Sequence, residues 1–202
     1  KTYNKMFWKC ITDIQKKYNI INENIIFGYD CTQKEIWRNQ LTTTYKGNRD
    51  DLRSKNFNGL IFPHTYNNII PQIIQEYNVQ NIYSDNAEAD DVIAVTHKTI
   101  RDISQKQEII IITNDNDYLQ LGDDNTVIIN LKKKIITERG YGDPKKDLFV
   151  KIIRGDMSDN IPPVFPKCGE KKALKMYDDD NLLEEMFKKH ENSRNQYKLN
   201  DT

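Results

Sequence analysis

Apolar residues recur at helical spacing in several stretches of the chain. Near the start, this spacing predicts a helix over residues 1–18, with its apolar face formed by Met6, Phe7, Cys10, Ile11 and Ile14. Similar patterns predict further helices over residues 67–77, 87–103, 147–154, 170–177 and 181–189.

Short apolar runs lie between these helices. They predict strands over residues 24–29, 79–83, 108–113 and 126–131. The run Ile109–Ile112 is entirely isoleucine, which is typical of a central parallel strand because such a strand is buried on both faces. Strands that alternate with helices favour an α/β fold with a mostly parallel sheet flanked by helices.

Carboxylates gather at the ends of these predicted elements. They occur as Glu88–Asp91 at a helix start, Asp115–Asp117 after the isoleucine strand, Asp156–Asp159 in a loop, and Asp30 after the first strand. Function in such folds collects at the carboxyl ends of the strands. So many carboxylates at one edge would repel one another unless a cation neutralised them, and oxygen-only ligands favour Mg²⁺ or Mn²⁺. Two such ions would support phosphodiester hydrolysis.

Each acidic cluster also has a purely structural interpretation. Carboxylates at a helix N-terminus complement the helix dipole, and Asp117 can cap its own helix. Asp156 and Asp159 are common turn formers. The sequence contains no candidate Ser/His/Asp triad, no Walker loop and no GxGxxG motif, so it gives no support to chemistry driven by a bound nucleotide.

Composition indicates one soluble domain, with at most a small appendage, whose charge is unevenly distributed. The 202 residues have a net charge of zero, but residues 76–124 hold 11 acidic and 3 basic residues. Residues 132–175 hold 12 basic and 6 acidic residues. This division fits a metal site beside a polyanion-binding surface, or two ordinary solvated surfaces. No apolar run reaches the length of a membrane helix, and three widely spaced cysteines favour a reducing compartment.

Four short motifs follow one another in an order known from one protein family. They are Tyr45–Arg49 (YKGNR), Glu88–Asp91 (EADD), Thr113–Leu121 (TNDNDYLQL) and Gly155–Pro162 (GDMSDNIP). Together they resemble the structure-specific 5′-nuclease family, which includes flap endonucleases, bacteriophage 5′-exonucleases and the 5′-nuclease domain of bacterial DNA polymerase I. The resemblance extends from about Ile25 to Tyr177.

The resemblance implies a fold, an activity and a partner. The fold would be a PIN-like, Rossmann-like catalytic core over residues 1–140, followed by a helical DNA-binding region of helix-hairpin-helix type over residues 141–202. The activity would be 5′-3′ exonuclease or flap endonuclease cleavage, leaving a 5′-phosphate and a 3′-hydroxyl. The partner would be flapped, nicked or branched DNA, or an RNA–DNA hybrid, bound by a monomer.

The resemblance also implies a site with two Mg²⁺ or Mn²⁺ ions. It assigns the first ion to Glu88, Asp90 and Asp115, with Asp30 nearby, and the second ion to Asp117, Asp156 and Asp159. Asp91 would act through a water molecule or from behind the ligands. Lys46 and Arg49, with Tyr45 beside them, would hold and polarise the scissile phosphate.

Residues 155–173 resemble the family's helix-hairpin-helix clamp. Backbone amides at such a turn bind a duplex phosphate without reading the base sequence, and a K⁺ ion often lies in this loop in the family. Lys167 stands where the family usually has glycine, which is a departure from the motif. The DNA-contacting residues here would be Lys167, Gly169, Lys171, Lys172 and Lys175.

The larger departure from the family lies at the front of the chain. The family opens with a strand that carries a metal-binding aspartate, and nothing before Asp13 matches it. We expect either that the sequence begins after this strand or that the protein lacks this ligand. In the second case, it would bind metal poorly and cleave slowly.

Three alternative functions stay open on the sequence alone. A phosphatase of the haloacid dehalogenase type also uses DxD and GDxxxD motifs, but would leave EADD unexplained. A non-catalytic DNA-binding remnant fits the missing strand but not the retained carboxylates. A PIN-type ribonuclease would not need the hairpin segment.

The composition also indicates a source and a cellular location. Its wealth of lysine, asparagine and isoleucine is typical of an AT-rich genome, and residues 161–169 resemble versions from large DNA viruses. We expect an intracellular protein, in the cytoplasm or, for a virus of a eukaryotic host, in the nucleus or viral factory.

Overall fold

Helices form largely where apolar residues recur at helical spacing. The computed structural model describes residues 2–42, 44–47 and 59–202. Its α-helices are α1 (Thr2–Tyr18), α2 (Ile61–His64), α3 (Ile70–Tyr77), α4 (Ala89–Ile103), α5 (Pro144–Arg154), α6 (Glu170–Tyr177), α7 (Asp180–Lys189) and α8 (Ser193–Asn200). The predicted helices are confirmed with shifted ends. The apolar pattern does not predict α8, because its sequence SRNQYKLN is mostly polar.

The strands pair in parallel, as predicted, but they are short. They are β1 (Ile26–Gly28), β2 (Gln80–Ile82), β3 (Ile109–Ile112) and β4 (Thr126–Ile129). Within the described residues, β1 pairs with β2 and β3 with β4, which gives two separate two-stranded sheets.

The prediction that the isoleucine strand is buried on both faces is wrong. Ile111 is buried, but Ile112 is 41% exposed. In the described part of the chain, β3 pairs with one strand, β4, so no second strand shields its other edge from solvent. The neighbouring β4 is the better covered strand, because Ile128 and Ile129 are fully buried.

Within the described residues, the hydrophobic core forms three clusters. One packs α4 and the turn after β3 against the second sheet, around Ile111, Leu119 and Ile128. Another packs α1 against α3, around Ile69 and Ile73. The third lies entirely within residues 150–186 and includes the fully buried residues Ile153, Phe165, Ala173 and Met176. The division of the chain at residue 140 stays a prediction.

Two packed helices, α5 and α6, flank the loop over residues 155–169. Gly155 begins this loop at φ +64°, and a Cβ atom there would lie 2.5 Å from the carbonyl oxygens of Ile161 and Pro162. Glycine is therefore the residue that fits. Lys167, which replaces the family's glycine, keeps a left-handed conformation at φ +52°. The loop thus retains a glycine-like backbone at this position without the glycine. None of the described helices is long and apolar enough to span a membrane.

Candidate metal centre and basic turn

The first acidic cluster, formed by Glu88, Asp90 and Asp91, lies at the N-terminus of α4. Glu88 is the N-cap residue, and its side chain and that of Asp91 form a reciprocal capping box. The structural interpretation of these carboxylates as caps is thus correct for two of the three. One carboxylate oxygen from each residue lies within 4.8 Å of the others, which is close enough for a shared cation.

A basic turn, Thr44–Gly47, covers this cluster. The Tyr45 hydroxyl donates to Glu88 Oε2 at 2.6 Å, and the Lys46 ammonium forms an ion pair with Glu88 Oε1. All three of these residues are buried. Burial and the hydrogen bond to Glu88 raise the pKa of Tyr45, so its hydroxyl stays protonated and can donate. The sequence predicted that these residues share a site, and the structure brings them together.

Arg38 contacts the first acidic cluster from a segment that sequence reasoning did not select. Its guanidinium donates to both oxygens of Asp91 at 2.7 Å and to Glu88 Oε2 at 3.3 Å. The Trp37 indole N–H donates to Asp91 Oδ2 at 3.1 Å. A short arginine-tryptophan pair in a polar stretch gives no local signal of this contact.

The two neighbouring aspartates have opposite electrostatic environments. Burial and the charges of Asp91 and Glu88 raise the pKa of Asp90. Burial also acts on Asp91, but hydrogen bonds from Arg38 and Trp37, with the Arg38 charge, outweigh it and lower the pKa of Asp91. Asp91 is therefore a satisfied anion, whereas the charge on Asp90 is poorly compensated by the protein.

The second acidic cluster consists of Asp115, Asp117 and Asp156. Asp115 follows β3 and caps the short 3₁₀ turn Asn116–Leu121 by accepting from the Asp117 amide at 2.9 Å. Lys151 of α5 forms an ion pair with Asp117, and its ammonium lies 3.9 Å from Asp156 Oδ2. Burial raises the pKa of Asp117 even though Lys151 opposes the shift. Lys151 is a second residue of the site that the motifs did not indicate.

A hydrogen bond and a shared electrostatic effect indicate that the acidic groups share one edge of the fold. Asp30, after β1, accepts a hydrogen bond from the Ala89 amide at the start of α4 at 2.8 Å. Burial raises the pKa of the Tyr118 hydroxyl, and the charges of Asp90, Asp115 and Asp30 raise it further. The carboxyl ends of β1 and β3 therefore face a common region.

Asp159 lies on the basic-turn side of this region. Its Oδ2 is 3.7 Å from the Lys46 ammonium, and its carbonyl accepts from the Lys46 amide at 2.9 Å. The adjacent Asn160 donates from its side chain to the Thr44 carbonyl at 2.8 Å. The Gly155–Pro162 motif thus holds the basic turn in place, which the resemblance did not predict.

The DNA-contacting residues predicted in the hairpin segment are exposed around the start of α6. Gly169 is the N-cap of α6, and the lysines around it are exposed: Lys167, Lys171, Lys172 and Lys175. A cleft of about 600 Å³ borders the second acidic cluster, and its lining includes Asp117, Lys151 and Asp156. Glu170, the first residue of α6, also lines this cleft. Arg49 lies outside the described residues.

Comparison with known proteins gives one consistent family. Residues 2–145 match the model of the 5′-3′ exonuclease N-terminal resolvase-like domain. A 5′-3′ exonuclease of Buchnera aphidicola subsp. Schizaphis graminum is 33% identical over 171 residues, or 77% of this chain and 54% of that protein. A 5′-3′ exonuclease of Mycoplasmopsis pulmonis is 32% identical over 90% of this chain and 59% of that protein. The chain thus spans somewhat more than half the length of these relatives.

Solved structures show the same fold. A bacteriophage T5 protein co-crystallised with metal ions has a TM-score of 0.70 and 17% identity, covering 98% of this chain and 82% of that chain. A bacteriophage T5 flap endonuclease variant, in a pseudo-enzyme-product complex with DNA and metal ions, has a TM-score of 0.68 and 16% identity. That alignment covers 98% of this chain and 80% of that chain.

Proposed function

The chain belongs to the 5′-3′ exonuclease family, and on that premise we propose that it is a divalent-metal-dependent 5′-nuclease. It would hydrolyse phosphodiester bonds near the 5′ end of flapped, nicked or branched DNA or of RNA primers. The observation that carries the proposal is that carboxylate oxygens of Glu88 and Asp90 lie within 4.8 Å of each other beside a buried lysine. Family membership also excludes the phosphatase alternative.

The donor set of the site fits a hard divalent cation. Within the described residues, the clustered donors are carboxylate oxygens, without histidine or cysteine among them. Asp90 fits best, because burial and the charges of Asp91 and Glu88 raise its pKa, and a bound cation would offset both effects. We propose Mg²⁺ or Mn²⁺ held by Glu88, Asp90 and Asp115, with Asp30 nearby, and a second ion held by Asp117, Asp156 and Asp159. Such ions stabilise the charge on the attacking and leaving oxygens of phosphodiester hydrolysis.

The protein's own groups would orient the substrate. Lys46 reaches the cluster from the basic turn, and its ammonium would attract a phosphate oxygen once a cation takes its place on Glu88. Tyr45 would keep the turn seated through its hydrogen bond to Glu88. We assign Arg49 to the same phosphate from the resemblance of the YKGNR motif.

The helical region would bind the duplex. Its exposed lysines surround the start of α6, and Glu170 there lines the cleft that also borders Asp117 and Asp156. A duplex held by these lysines could therefore lead a strand past the carboxylates. We propose K⁺ for the loop between α5 and α6 from the resemblance of residues 155–173 to the family's clamp. A monomer and an intracellular location complete the proposal, and the free thiols Cys10, Cys31 and Cys168 support that location.

The proposal is tested by cleavage of a 5′-labelled flap duplex with Mg²⁺, Mn²⁺ or EDTA. Asp115→Asn should abolish metal-dependent release of the 5′ product while preserving duplex binding. Asp124→Asn is the matched control, because Asp124 is exposed and precedes β4, at the opposite end of the sheet from Asp115. Equal loss of cleavage and binding in Asp115→Asn would contradict the metal role. Wild-type protein that binds the flap without cleaving it would favour a non-catalytic DNA-binding protein.

A further inference from the structure

Arg38 is the most heavily engaged charged group at the site that the proposed mechanism does not use. Its side chain is 23% exposed. The Arg38 Cζ atom lies 4.6 Å from the centroid of the Trp37 ring and 6.0 Å from the centroid of the Tyr45 ring. It contacts Asp91 with two nitrogens and Glu88 with one. Planar bidentate contacts of this kind fix geometry as well as charge.

The carboxylate of Asp91 is almost fully used by these contacts. Its Oδ2 accepts from the Trp37 indole, from Arg38 and from the Glu88 backbone amide, while its Oδ1 accepts from Arg38. Little capacity remains for a metal ion. Asp91 therefore serves as an anchor between Arg38 and the first turn of α4, which is the turn that presents Asp90.

Arg38 thereby connects the segment that leads to the basic turn with the first acidic cluster. The segment that carries it is tied to the approach to α4 by a hydrogen bond from the Trp37 amide to the Asn86 carbonyl at 2.8 Å. Seven residues further along the chain, Tyr45 begins to cover Glu88. Any shift of the guanidinium would change the angle between the basic turn and the carboxylates.

Resting on the proposed function, we propose that Arg38 is a positioning residue of this nuclease. Acting through Asp91, it holds the carboxylates of α4 and the lysine of the basic turn in register, so that one cation and one phosphate can be bound together. Outer groups that orient metal ligands in this way are worth about 10- to 100-fold in metal affinity or activity.

The decisive variant is Arg38→Lys, which keeps the positive charge but removes the planar fork. Free Mn²⁺ is measured by electron paramagnetic resonance, kcat and KM are measured on the flap duplex, and Tm is measured in EDTA. We expect Mn²⁺ affinity and kcat each to fall about tenfold or more, with KM changed less than about threefold. The matched control is Arg194→Lys, because Arg194 forms an exposed ion pair with Glu184.

Two further variants extend the test, and the first of them keeps it decisive if Arg38→Lys folds poorly. Trp37→Phe removes only the indole donor to Asp91 and should weaken Mn²⁺ binding by a smaller factor. Arg38→Lys combined with Asp91→Asn should cost no more in kcat than the larger single effect, because both act through one contact. Unchanged Mn²⁺ affinity and kcat in Arg38→Lys, with an active wild type, would overturn the inference alone. A wild type that neither binds Mn²⁺ nor cleaves would overturn the proposed function, and this inference with it.

Discussion

Replacing Asp90 by asparagine should stabilise the metal-free protein and abolish its metal-dependent cleavage. The carboxylate oxygens of Glu88, Asp90 and Asp91 lie within 4.8 Å of one another. At an effective dielectric constant of about 20, two like charges at that separation repel by about 3.5 kcal/mol. Arg38 offsets part of this repulsion at Asp90, but the pKa of Asp90 is still raised.

The same substitution at the next residue should have the opposite effect on stability. Asp91 accepts a bidentate pair from Arg38, and the two side chains are only 21% and 23% exposed. An asparagine amide would present a donor to the guanidinium. We therefore expect Asp91→Asn to lower the free energy of unfolding by about 2 kcal/mol. This value lies between those typical of losing an exposed and a buried ion pair. For Asp90→Asn, we expect a gain of about 1 kcal/mol from the relieved repulsion.

Thermal unfolding in EDTA at neutral pH measures both effects. In a chain of this length, about 1 kcal/mol corresponds to about 2–4 °C in Tm. Asp90→Asn should thus raise Tm by about 2–4 °C and Asp91→Asn should lower it by about 4–8 °C. The reasoning would be refuted if both variants moved Tm in the same direction, or if Asp90→Asn retained metal-dependent cleavage.

The same pair of residues predicts the direction of the pH dependence. The pKa of Asp90 is raised by folding, so its charge costs stability at neutral pH, and this cost disappears as the pH falls through its folded-state pKa. The pKa of Asp91 is lowered, so its contribution is present at neutral pH and is lost only on stronger acidification. In EDTA, the Tm difference between wild type and Asp90→Asn should therefore shrink as the pH is lowered, which a series of unfolding curves would show.

Three further substitutions test other parts of the site. Asn160→Gly keeps the left-handed backbone but removes the amide that holds the basic turn, so kcat should fall about tenfold with little change in Tm; an unchanged kcat would contradict that contact. Lys151→Met removes the ammonium that competes with a cation for Asp117, so Mn²⁺ binding measured by titration should tighten, and weaker binding would count against this competition. Gly155→Ala forces a Cβ atom against two carbonyl oxygens and should lower stability by more than about 2 kcal/mol in denaturant unfolding. Gly142→Ala, at φ +75° in open space, is its control and should cost only about 1 kcal/mol; equal losses would refute the steric argument.

The candidate site was only partly predictable from sequence, for a definable reason. The motifs indicated the carboxylates because each acidic group lies next to the end of an element that local periodicity predicts. They did not indicate Arg38 or Lys151, whose partners lie 53 and 34 residues away along the chain. Nor did they predict that Asp159 lies beside Lys46, which follows from how the loop after α5 packs under the basic turn.

The sequence by itself determined most of the segments that become helices and strands, with α2 and α8 as exceptions, and which residue types gather at their ends. Helices and strands follow from apolar residues spaced every 3.6 or every 2 positions, and this spacing can be read from a short segment of the sequence. Only the tertiary structure decided that the strands form two separate pairs, that the isoleucine strand is partly exposed, and that Asp90 and Asp91 differ in environment. Adjacent carboxylates look alike in a sequence, but their charge balance depends on which distant cation the folded chain places beside each one.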